Sequence, residues 1–457
     1  MMRKGVILLA KKVNEAKLGL LTGQRNYRAL RAALAELNDI DVAHFLEDLP
    51  EEQQPLVFRT LEKDQAMEVF AELEAETQQR IIERITDREL SALMEDLSVD
   101  DAVDMLEEMP ATLVKRVLQN ASPETRVLIN QFLRYPENSA GSIMTAEFTD
   151  LRRTMTVEDA IKRIRRVGED RETIYTCYVM DDQRHLDGVV TVKDLLLAQD
   201  GEKVEDLMEP DVISVQTTSD QEAAVRLMAE YGLISLPVVD RENRLVGIVT
   251  VDDAVDVLQE EATEDFEKMA AMVPSDKPYL KSGVLSLAKN RILWLLILMV
   301  SSMLTGAILG RYEAAFEVIP LLVTFIPMLT GTGGNAGSQS SAMVIRGMSL
   351  GEIHSRDLGA VLFKEVRVSL MVAVPLALVN YLRILIMYED SAMVGLVVSL
   401  AMVCTVTLAN SLGGILPILA KLLRIDPALM AAPLITTIVD ACSLLIYFGI
   451  AVSLLPL

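Results

Sequence analysis

The chain is poor in the residues that build disulfide frameworks and zinc sites, with three cysteines and three histidines among 457 residues. Cys177, Cys404 and Cys442 lie far apart, without a CxxC pair or a histidine cluster. This spacing argues against both kinds of site and predicts a reducing compartment for the soluble part of the chain. No HExxH motif occurs and His354 falls in a predicted loop, so a metal-dependent membrane enzyme is disfavoured.

Basic residues are also scarce, and the charge is unevenly distributed. Residues 291–457 contain nine Lys and Arg and nine Asp and Glu, so the other 34 of 43 basic and 57 of 66 acidic side chains lie in residues 1–290. That segment therefore carries the entire net charge of −23. Because phosphate binding needs patches of Lys and Arg, we expect no nucleic-acid partner. A polyanion of this kind suits a divalent cation instead.

The N-terminus lacks the features of a secretory signal. Its apolar run extends only from Val6 to Ala10 before Lys11 and Lys12, and no cleavage site follows. Such a run is too short for the apolar region of a signal peptide. We therefore expect the soluble half to stay in the cytosol.

The residues beyond 290 contain long apolar segments. Ile292–Leu309 is uncharged and has about the length of a bilayer span, roughly 20 residues. Four more predicted spans follow at about 318–345, 368–388, 392–420 and 427–455. Five spans place the two termini on opposite sides of the lipid bilayer. The loops on one side carry most of the basic residues, namely Arg346, Arg356, Lys364, Arg367, Lys421 and Arg424. This bias predicts a multi-pass protein of the cell (inner) membrane with a cytoplasmic N-terminal half.

Pro327–Ser341 is rich in glycine and small polar residues although it lies in an otherwise apolar span. Polar or irregular backbone at membrane depth is tolerated where it faces protein or water. Two compatible interpretations remain open. The segment packs closely against other helices through its small residues, or it lines a pore in which Asn335 and Gln339 supply amide oxygens.

Asp440 lies well inside the last predicted span, where an uncompensated carboxylate costs several kcal/mol. No basic residue lies deep enough in any span to pair with it. One alternative is a buried, protonated Asp440 bonded to a neighbouring hydroxyl. The other, which we favour, is an ionised Asp440 that faces water and meets cations. Thr436 and Thr437, one turn earlier, would add oxygens on or near the same face.

Residues 25–135 have the pattern of short amphipathic helices. Apolar residues in 90–97 recur at i, i+3, i+4 and i+7, and Glu-Asp-Leu-Pro at 47–50 resembles Glu-Asp-Leu-Ser at 95–98. This pattern predicts an all-α helical-repeat domain.

Acidic residues cluster at the start of one of these helices, at Asp100, Asp101 and Asp104. Helix capping, with Ser98 as the N-cap residue, explains Asp101 well and Asp104 poorly.

An internal duplication occupies about 142–258. Gly188–Asp194 aligns with Gly247–Asp253, 59 residues later, and each copy follows an apolar strand and a polar turn. The arrangement resembles a pair of α/β CBS domains, which implies ATP or another adenine nucleotide as a ligand. The residues implied in binding it are Thr191, Asp194, Thr250 and Asp253. The alternative role of each Thr-x-x-Asp pattern is a capping box.

An acidic helix is predicted between the duplication and the first span. From Asp252 to Glu267 eight positions are acidic and none is basic. Like charges at helical spacing weaken a helix by a few tenths of a kcal/mol per pair. A solvated charged face is the ordinary explanation of such a run. Alternatively, divalent cations bind these carboxylates and order or move the helix.

Together these features resemble the MgtE family of magnesium channels and transporters along nearly the whole chain. The motifs that carry the resemblance are Gly-Thr-Gly-Gly-Asn-Ala-Gly-Ser-Gln-Ser-Ser at 331–341, Asp-Pro-Ala-Leu at 426–429, Pro-Leu-Ile-Thr-Thr-Ile-Val-Asp at 433–440 and the acidic positions of 251–265. The resemblance implies a homodimer and a multidomain fold. Its parts would be a helical N domain (1–138), two CBS domains (139–200 and 201–258), a connecting plug helix (259–284) and a transmembrane pore domain with five α-helical spans (285–457).

The resemblance also implies residue roles. Asp440 of each subunit would line the pore. The regulatory Mg²⁺ ligands would be Asp100, Asp104, Asp253, Asp256, Glu261, Glu264 and Asp265. Two residues depart from the family pattern: Gly232 replaces an acidic residue of some members, and Ala432 replaces an asparagine.

We therefore expect a transporter rather than an enzyme, one that mediates Mg²⁺ uptake and is closed by cytosolic Mg²⁺. Three alternatives remain open. They are a broader divalent-cation transporter for Mn²⁺ or Co²⁺, efflux in place of uptake, and a nucleotide-sensing carrier regulated by its CBS pair.

Overall fold

The computed structural model describes residues 16–275, 279–280, 282–388, 391–430 and 432–455. The N-terminal run Val6–Ala10 lies outside the described residues. The chain divides into two compact units between Leu258 and Gln259.

The first unit begins with short helices, as the apolar spacing predicts. They are α1 (Tyr27–Leu34), α2 (Asp39–Glu47), α3 (Gln54–Phe58), α4 (Lys63–Ala71), α5 (Ala75–Arg84), α6 (Asp87–Asp96), α7 (Val99–Glu107), α8 (Ala111–Asn120) and α9 (Pro123–Phe132). Their apolar faces share one core, in which Leu30, Phe70 and Ile81 are fully buried. The Asp101 N–H donates to the Ser98 hydroxyl at 3.2 Å at the start of α7, so the predicted Ser98 cap is confirmed.

The rest of the first unit consists of two similar α/β halves. Their elements are β1 (Phe148–Leu151), α10 (Val157–Val167), a 3₁₀ turn (Gly168–Asp170), β2 (Thr173–Met180), β3 (Leu186–Thr191) and α11 (Val192–Leu197), then α12 (Val204–Leu207), β4 (Val215–Gln216), α13 (Gln221–Tyr231), β5 (Ser235–Val239) and β6 (Leu245–Thr250). Each half has a three-stranded sheet, ordered β1-β2-β3 or β4-β5-β6, with one parallel and one antiparallel pair. The predicted duplication is therefore confirmed.

Each half is completed by a segment that precedes the other half. Thr145 forms an antiparallel bridge with β6, and Glu209 forms one with β3. A Cβ atom at Gly188 would lie 2.9 Å from the Glu209 carbonyl oxygen, and one at Gly247 would lie 2.6 Å from that of Thr145. The repeated motif therefore needs glycine at both positions because a second backbone crosses there.

A connecting helix, α14 (Val251–Met269), follows β6 directly and carries the acidic segment. It continues into the second unit. The elements of that unit are α15 (Val284–Arg311), α16 (Glu313–Val318), α17 (Leu321–Thr324), α18 (Ile326–Ser349), a 3₁₀ turn (Ser355–Asp357), α19 (Leu358–Met387), α20 (Ala392–Leu422), a 3₁₀ turn (Pro427–Met430) and α21 (Ala432–Leu454).

Four helical segments of the described part of the chain are long and apolar enough to cross a membrane. They are Val284–Arg311, Ser355–Met387, Ala392–Leu422 and Pro427–Leu454. The remaining predicted span, at about 318–345, contains most of α18, a helix of 24 residues, whose glycines and polar side chains make it less apolar than these four. Two short helices, α16 and α17, precede α18, so the predicted span at about 318–345 is not one continuous helix. Five spans are thus not confirmed and remain a prediction.

Candidate cation sites

Helix α18 packs against α21 through its glycines. A Cβ atom at Gly334 would lie 3.0 Å from Thr436 Cγ2, and one at Gly337 would lie 2.8 Å from Ile435 Cγ2. Contacts this close leave little or no room for a side chain and are typical of helices that pack through small residues. The interpretation of this segment as a packing surface is therefore confirmed.

The other side of α18 is open. Gly331, Asn335, Gln339 and Met343, which are spaced four residues apart, are all exposed. One stripe of the helix thus presents two amide side chains, while the buried glycines pack on the other side. The two interpretations of the segment are compatible in this structure, and a pore-lining role of Asn335 and Gln339 stays a prediction.

Asp440 lies one turn beyond Thr436 on α21 and is half-buried. Among the residues that the structure describes, its carboxylate has no hydrogen bond and no ion pair. The hydroxyls of Thr436 and Thr437 both donate to the Pro433 carbonyl at 2.9 Å. Since neither hydroxyl donates to Asp440, these contacts do not support the alternative of a carboxyl group held by a neighbouring hydroxyl.

Carboxylates from several elements lie close together in the first unit. Asp100, at the start of α7, has a buried oxygen, Oδ1, without a hydrogen-bond partner. Burial, then the charges of Asp101 and Asp253, raise the pKa of Asp100 to about 8. Burial also raises the pKa of Asp253 to about 6. A buried oxygen without a partner beside like charges is an environment that a divalent cation would stabilise.

Three more acids of this region escaped the sequence analysis. Burial, then the charge of Asp252, raises the pKa of Glu172 to about 7. On α4, burial raises the pKa of Glu68 and that of Glu72, where the charge of Asp101 contributes next. These six carboxylates, Glu68, Glu72, Asp100, Asp101, Glu172 and Asp253, form the acidic cluster. The six members come from four separate segments. Of the three missed acids, only Glu68 and Glu72 have a local pattern, their i, i+4 spacing, that could have drawn attention to them.

Of the other predicted metal ligands, Asp256 lies close enough to the acidic cluster for its charge to contribute to the raised pKa of Glu72, after burial and the charge of Asp101. Asp104 is exposed on α7, and Asp256 is exposed on α14. Glu261, Glu264 and Asp265 lie further along α14, in the second unit. Within the described ranges, no group of three or more His, Cys, Asp or Glu side chains has the geometry of a ready metal site.

Glu264 is paired with a lysine that the sequence analysis did not single out. The Lys268 Nζ lies 2.7 Å from Glu264 Oε1 and 2.6 Å from Asp426 Oδ2. Burial alone lowers the pKa of Lys268, but hydrogen bonds to Asp426 and Glu264 outweigh it and raise that pKa. Lys268 and Asp426 are 158 positions apart, so no local pattern could have predicted their contact.

The Thr-x-x-Asp patterns of the two α/β halves bond locally. Thr191 and Asp194 form a reciprocal capping box at the start of α11. At the start of α14, the Thr250 hydroxyl donates to Asp253 Oδ2 at 2.5 Å. The alternative of a capping box is confirmed at Thr191 and Asp194, and nucleotide binding by these four residues stays a prediction.

The two departures from the family pattern have different structural settings. Gly232 ends α13 with a φ of 65°, a left-handed conformation that favours glycine over most other residues. Gly232 thus has a backbone role in this chain. Ala432 is the first residue of α21.

The chain combines an acidic unit with paired α/β halves and a unit of long apolar helices, the last of which contains a carboxylate. These features are those of a membrane protein that binds or transports cations. The chain belongs to the MgtE family. The family model described as a divalent cation transporter matches residues 326–450. The model of the MgtE intracellular N domain matches 37–138, and that of the CBS domain matches 140–201 and 204–260.

Named relatives align along nearly the whole chain. The magnesium transporter MgtE of Thermus thermophilus is 39% identical over 433 residues, which cover 94% of this chain and 95% of the relative. That of Bacillus subtilis is 34% identical over 430 residues, covering 93% and 94%.

Solved structures resemble the soluble part. The cytosolic domain of the Mg²⁺ channel MgtE in complex with ATP is 38% identical, with a TM-score of 0.51, and covers 53% of this chain and 99% of that one. The soluble part of a magnesium transporter is 28% identical, with a TM-score of 0.52, and covers 55% and 99%.

Proposed function

We propose that the protein is a Mg²⁺-selective channel or transporter that mediates magnesium uptake. The observation that carries this proposal is Asp440, a carboxylate inside an apolar helix with no partner among the described residues. Mg²⁺ prefers oxygen ligands and loses its waters reluctantly. Asp440 therefore holds a hydrated ion through its waters, with Asn335 and Thr436 as further oxygen ligands. Relatives named as magnesium transporters support the choice of ion.

The proposed assembly is a homodimer in the cell (inner) membrane, with the N-terminal domains in the cytoplasm. Asp440 of each subunit then faces a shared ion path, and the protein is not an enzyme. Helix α15 has no residue that is buried within the chain. This exposure supports a lipid environment or a second subunit around α15. A solvent-exposed apolar helix of 28 residues would be unstable in water.

Cytosolic Mg²⁺ is proposed to close the ion path by binding the acidic cluster and α14. A divalent cation between Asp100 and Asp253 would replace repulsion by attraction and would satisfy the free oxygen of Asp100. The observed environment fits these two ligands best. Asp104, Asp256, Glu261, Glu264 and Asp265 are assigned from the family resemblance. Closure follows if Mg²⁺ binds the closed state more tightly than the open state.

The CBS pair is proposed to bind ATP or another adenine nucleotide at Thr191, Asp194, Thr250 and Asp253. Support comes from the 38% identical cytosolic domain, whose structure contains ATP. Titration of the full chain with a fluorescent ATP analogue tests this site. Binding that survives Thr191→Ala with Thr250→Ala would contradict the assignment.

A broader divalent-cation transporter is the second candidate. Carboxylate, amide and water ligands suit Mn²⁺ about as well as Mg²⁺, and the family model names divalent cations without a choice among them. A nucleotide-sensing carrier of organic solutes has less support. It would need a second charged side chain within the apolar helices, or a wide pocket.

The test is ion flux into proteoliposomes that contain the full-length protein, with Mn²⁺ and Co²⁺ as competitors. Asp440→Ala should lower Mg²⁺ uptake by about tenfold or more, because the ion would lose its charged ligand. Glu313→Gln, an exposed acid on α16, is the matched control and should leave uptake unchanged. Undiminished uptake by Asp440→Ala would remove Asp440 from the path, and equal competition by Mn²⁺ would favour the broader transporter.

A further inference from the structure

Lys268 joins the last turn of α14 to the segment that leads into α21. Its Nζ atom bonds Glu264 one turn earlier on the same helix, at 2.7 Å, and Asp426 at 2.6 Å. The Lys268 side chain is only 21% exposed. Its partners Asp426 and Glu264 are 31% and 40% exposed, so both ion pairs are partly shielded and are screened less than fully exposed pairs.

Asp426 uses its two oxygens for two different contacts. Oδ2 accepts from Lys268, while Oδ1 accepts from the Ala428 N–H at 2.8 Å and so starts the 3₁₀ turn Pro427–Met430. The carbonyl at the other end of that turn, on Met430, accepts from the Ser341 hydroxyl of α18 at 2.9 Å. The turn before α21 is thus fixed at one end by Lys268 and at the other by α18.

The end of α14 is itself fixed to the start of α15. The Ser275 N–H donates to Glu267 Oε2 at 2.8 Å, and the Val273 N–H donates to the Asn290 carbonyl at 3.1 Å. Lys268 therefore joins the last turn of α14 to the turn that precedes α21, and the segment that follows α14 is bonded in turn to α15.

We propose that Lys268 is a positioning residue of the ion path. Its ammonium group is a cation built into the chain, and it holds the last turn of α14 against the turn that precedes α21. Without an ammonium group between them, Glu264 and Asp426 would repel, and only a bound cation could bring them together. Lysine carries a permanent charge at neutral pH, so this contact needs no Mg²⁺. Glu264 is then a partner of Lys268 in this structure, and a Mg²⁺ ion bound to Glu264 would share its carboxylate with the ammonium group.

The inference rests on the proposed function in one respect, namely that α14 takes part in closing the ion path. Lys268 then favours the closed state by an amount that does not vary with cytosolic Mg²⁺, while the metal sites supply the variable part. Removing the ammonium group should make closure more demanding, so more Mg²⁺ is needed for half-inhibition of flux.

The experiment measures Mg²⁺ inhibition of flux by the full-length protein in proteoliposomes, with four variants. Lys268→Met keeps the side-chain length without the charge, and Asp426→Asn keeps the oxygen that caps Ala428. Each should raise the half-inhibitory Mg²⁺ concentration about two- to fivefold, the size of one partly exposed ion pair. The double variant should be no worse than either single one. Lys421→Met, an exposed lysine at the end of α20, is the control and should behave as wild type.

A second measurement tests the Lys268 contact independently of the proposed closure by Mg²⁺. Hydrogen exchange of the amides in 269–273 and 428–430 should quicken in Lys268→Met and not in Lys421→Met, with or without Mg²⁺. If Mg²⁺ did not inhibit flux by the wild-type protein, the proposed closure by Mg²⁺ would be overturned. The exchange rates would still test the contact between Lys268 and Asp426. Wild-type inhibition combined with an unshifted Lys268→Met curve would overturn the role of Lys268, as would unchanged exchange.

Discussion

The hydroxyl of Ser341, a fully buried side chain of α18, donates a 2.9 Å hydrogen bond to the carbonyl oxygen of Met430. Met430 ends the 3₁₀ turn before α21, so this one bond links the helix that carries Asn335 to the helix that carries Asp440. It fixes the second half of α18 against the turn that precedes α21, and the glycines of α18 that precede Ser341 set the separation of the two helices further along α21.

Ser341→Ala should therefore destabilise the second unit by about 1 kcal/mol, because the Met430 carbonyl would lose its partner in a buried position. Mg²⁺ flux should fall less than in Asp440→Ala, since no ion ligand is removed. Thermal unfolding in detergent measures the first effect and proteoliposome uptake the second. Ser302→Ala, on the exposed surface of α15, is the control. Equal stability of the two variants would show that the bond contributes nothing.

The packing of α18 on α21 predicts a sharp difference between two glycines of one helix. Gly337→Ala would place a methyl group 2.8 Å from Ile435 Cγ2 and 3.1 Å from the Ala409 carbonyl oxygen. A methyl group at Gly331 would meet no atom of another segment within 4 Å. Gly337→Ala should cost about 1–3 kcal/mol through overpacking, while Gly331→Ala should leave the unfolding temperature unchanged or raise it. Thermal unfolding in detergent compares the pair. Similar losses in both variants would contradict the assigned packing face.

The features that sequence could predict are those with a period or a local motif. The repeated Gly-x-x-Thr-x-x-Asp segments predicted the two α/β halves, and Ser98 with Asp101 predicted a helix cap, because each pattern involves neighbouring residues. Asp440 was conspicuous because a carboxylate is expensive in an apolar helix.

Contacts between distant positions could not be predicted in this way. Glu172 joins the acidic cluster only when a loop from the first α/β half approaches α14, and Lys268 meets Asp426 only in the folded second unit. The reason for glycine at 188 and 247, a second backbone crossing from the other half, was equally invisible. Sequence located three acids of the cluster, Asp100, Asp101 and Asp253, and missed Glu68, Glu72 and Glu172, whose burial is a tertiary effect.

The acidic cluster predicts that Asp100 limits the stability of the first unit when no metal is present. At neutral pH the folded chain keeps Asp100 either protonated or as a charge whose buried oxygen has no partner, and both states cost free energy relative to the unfolded chain. Asp100→Asn removes this cost, so the metal-free full chain should unfold at a higher temperature than wild type. Mg²⁺ should then stabilise the variant less than it stabilises wild type, since a ligand has been lost. Asp211→Asn, an exposed residue of the same unit, is the control. A variant that is less stable without metal and equally stabilised by Mg²⁺ would contradict this role of Asp100.

The same cluster predicts an unusual pH dependence in metal-free solution. The pKa values of Asp100, Glu172 and Asp253 in the folded chain are about 8, 7 and 6, whereas unfolded Asp and Glu titrate near about 3.9 and 4.3. The folded chain thus holds protons that the unfolded chain has released, so stability falls as pH rises from about 4 to about 8. Hydrogen exchange of α7 and of 251–256 in EDTA should show faster opening at pH 8 than at pH 6. Added Mg²⁺ should reduce the difference, because it replaces the protons as the counter-charge and binds best when they are gone. Exchange that is slower at pH 8 in EDTA, after correction for the intrinsic rate, would show that these carboxylates are not held close together in the metal-free protein.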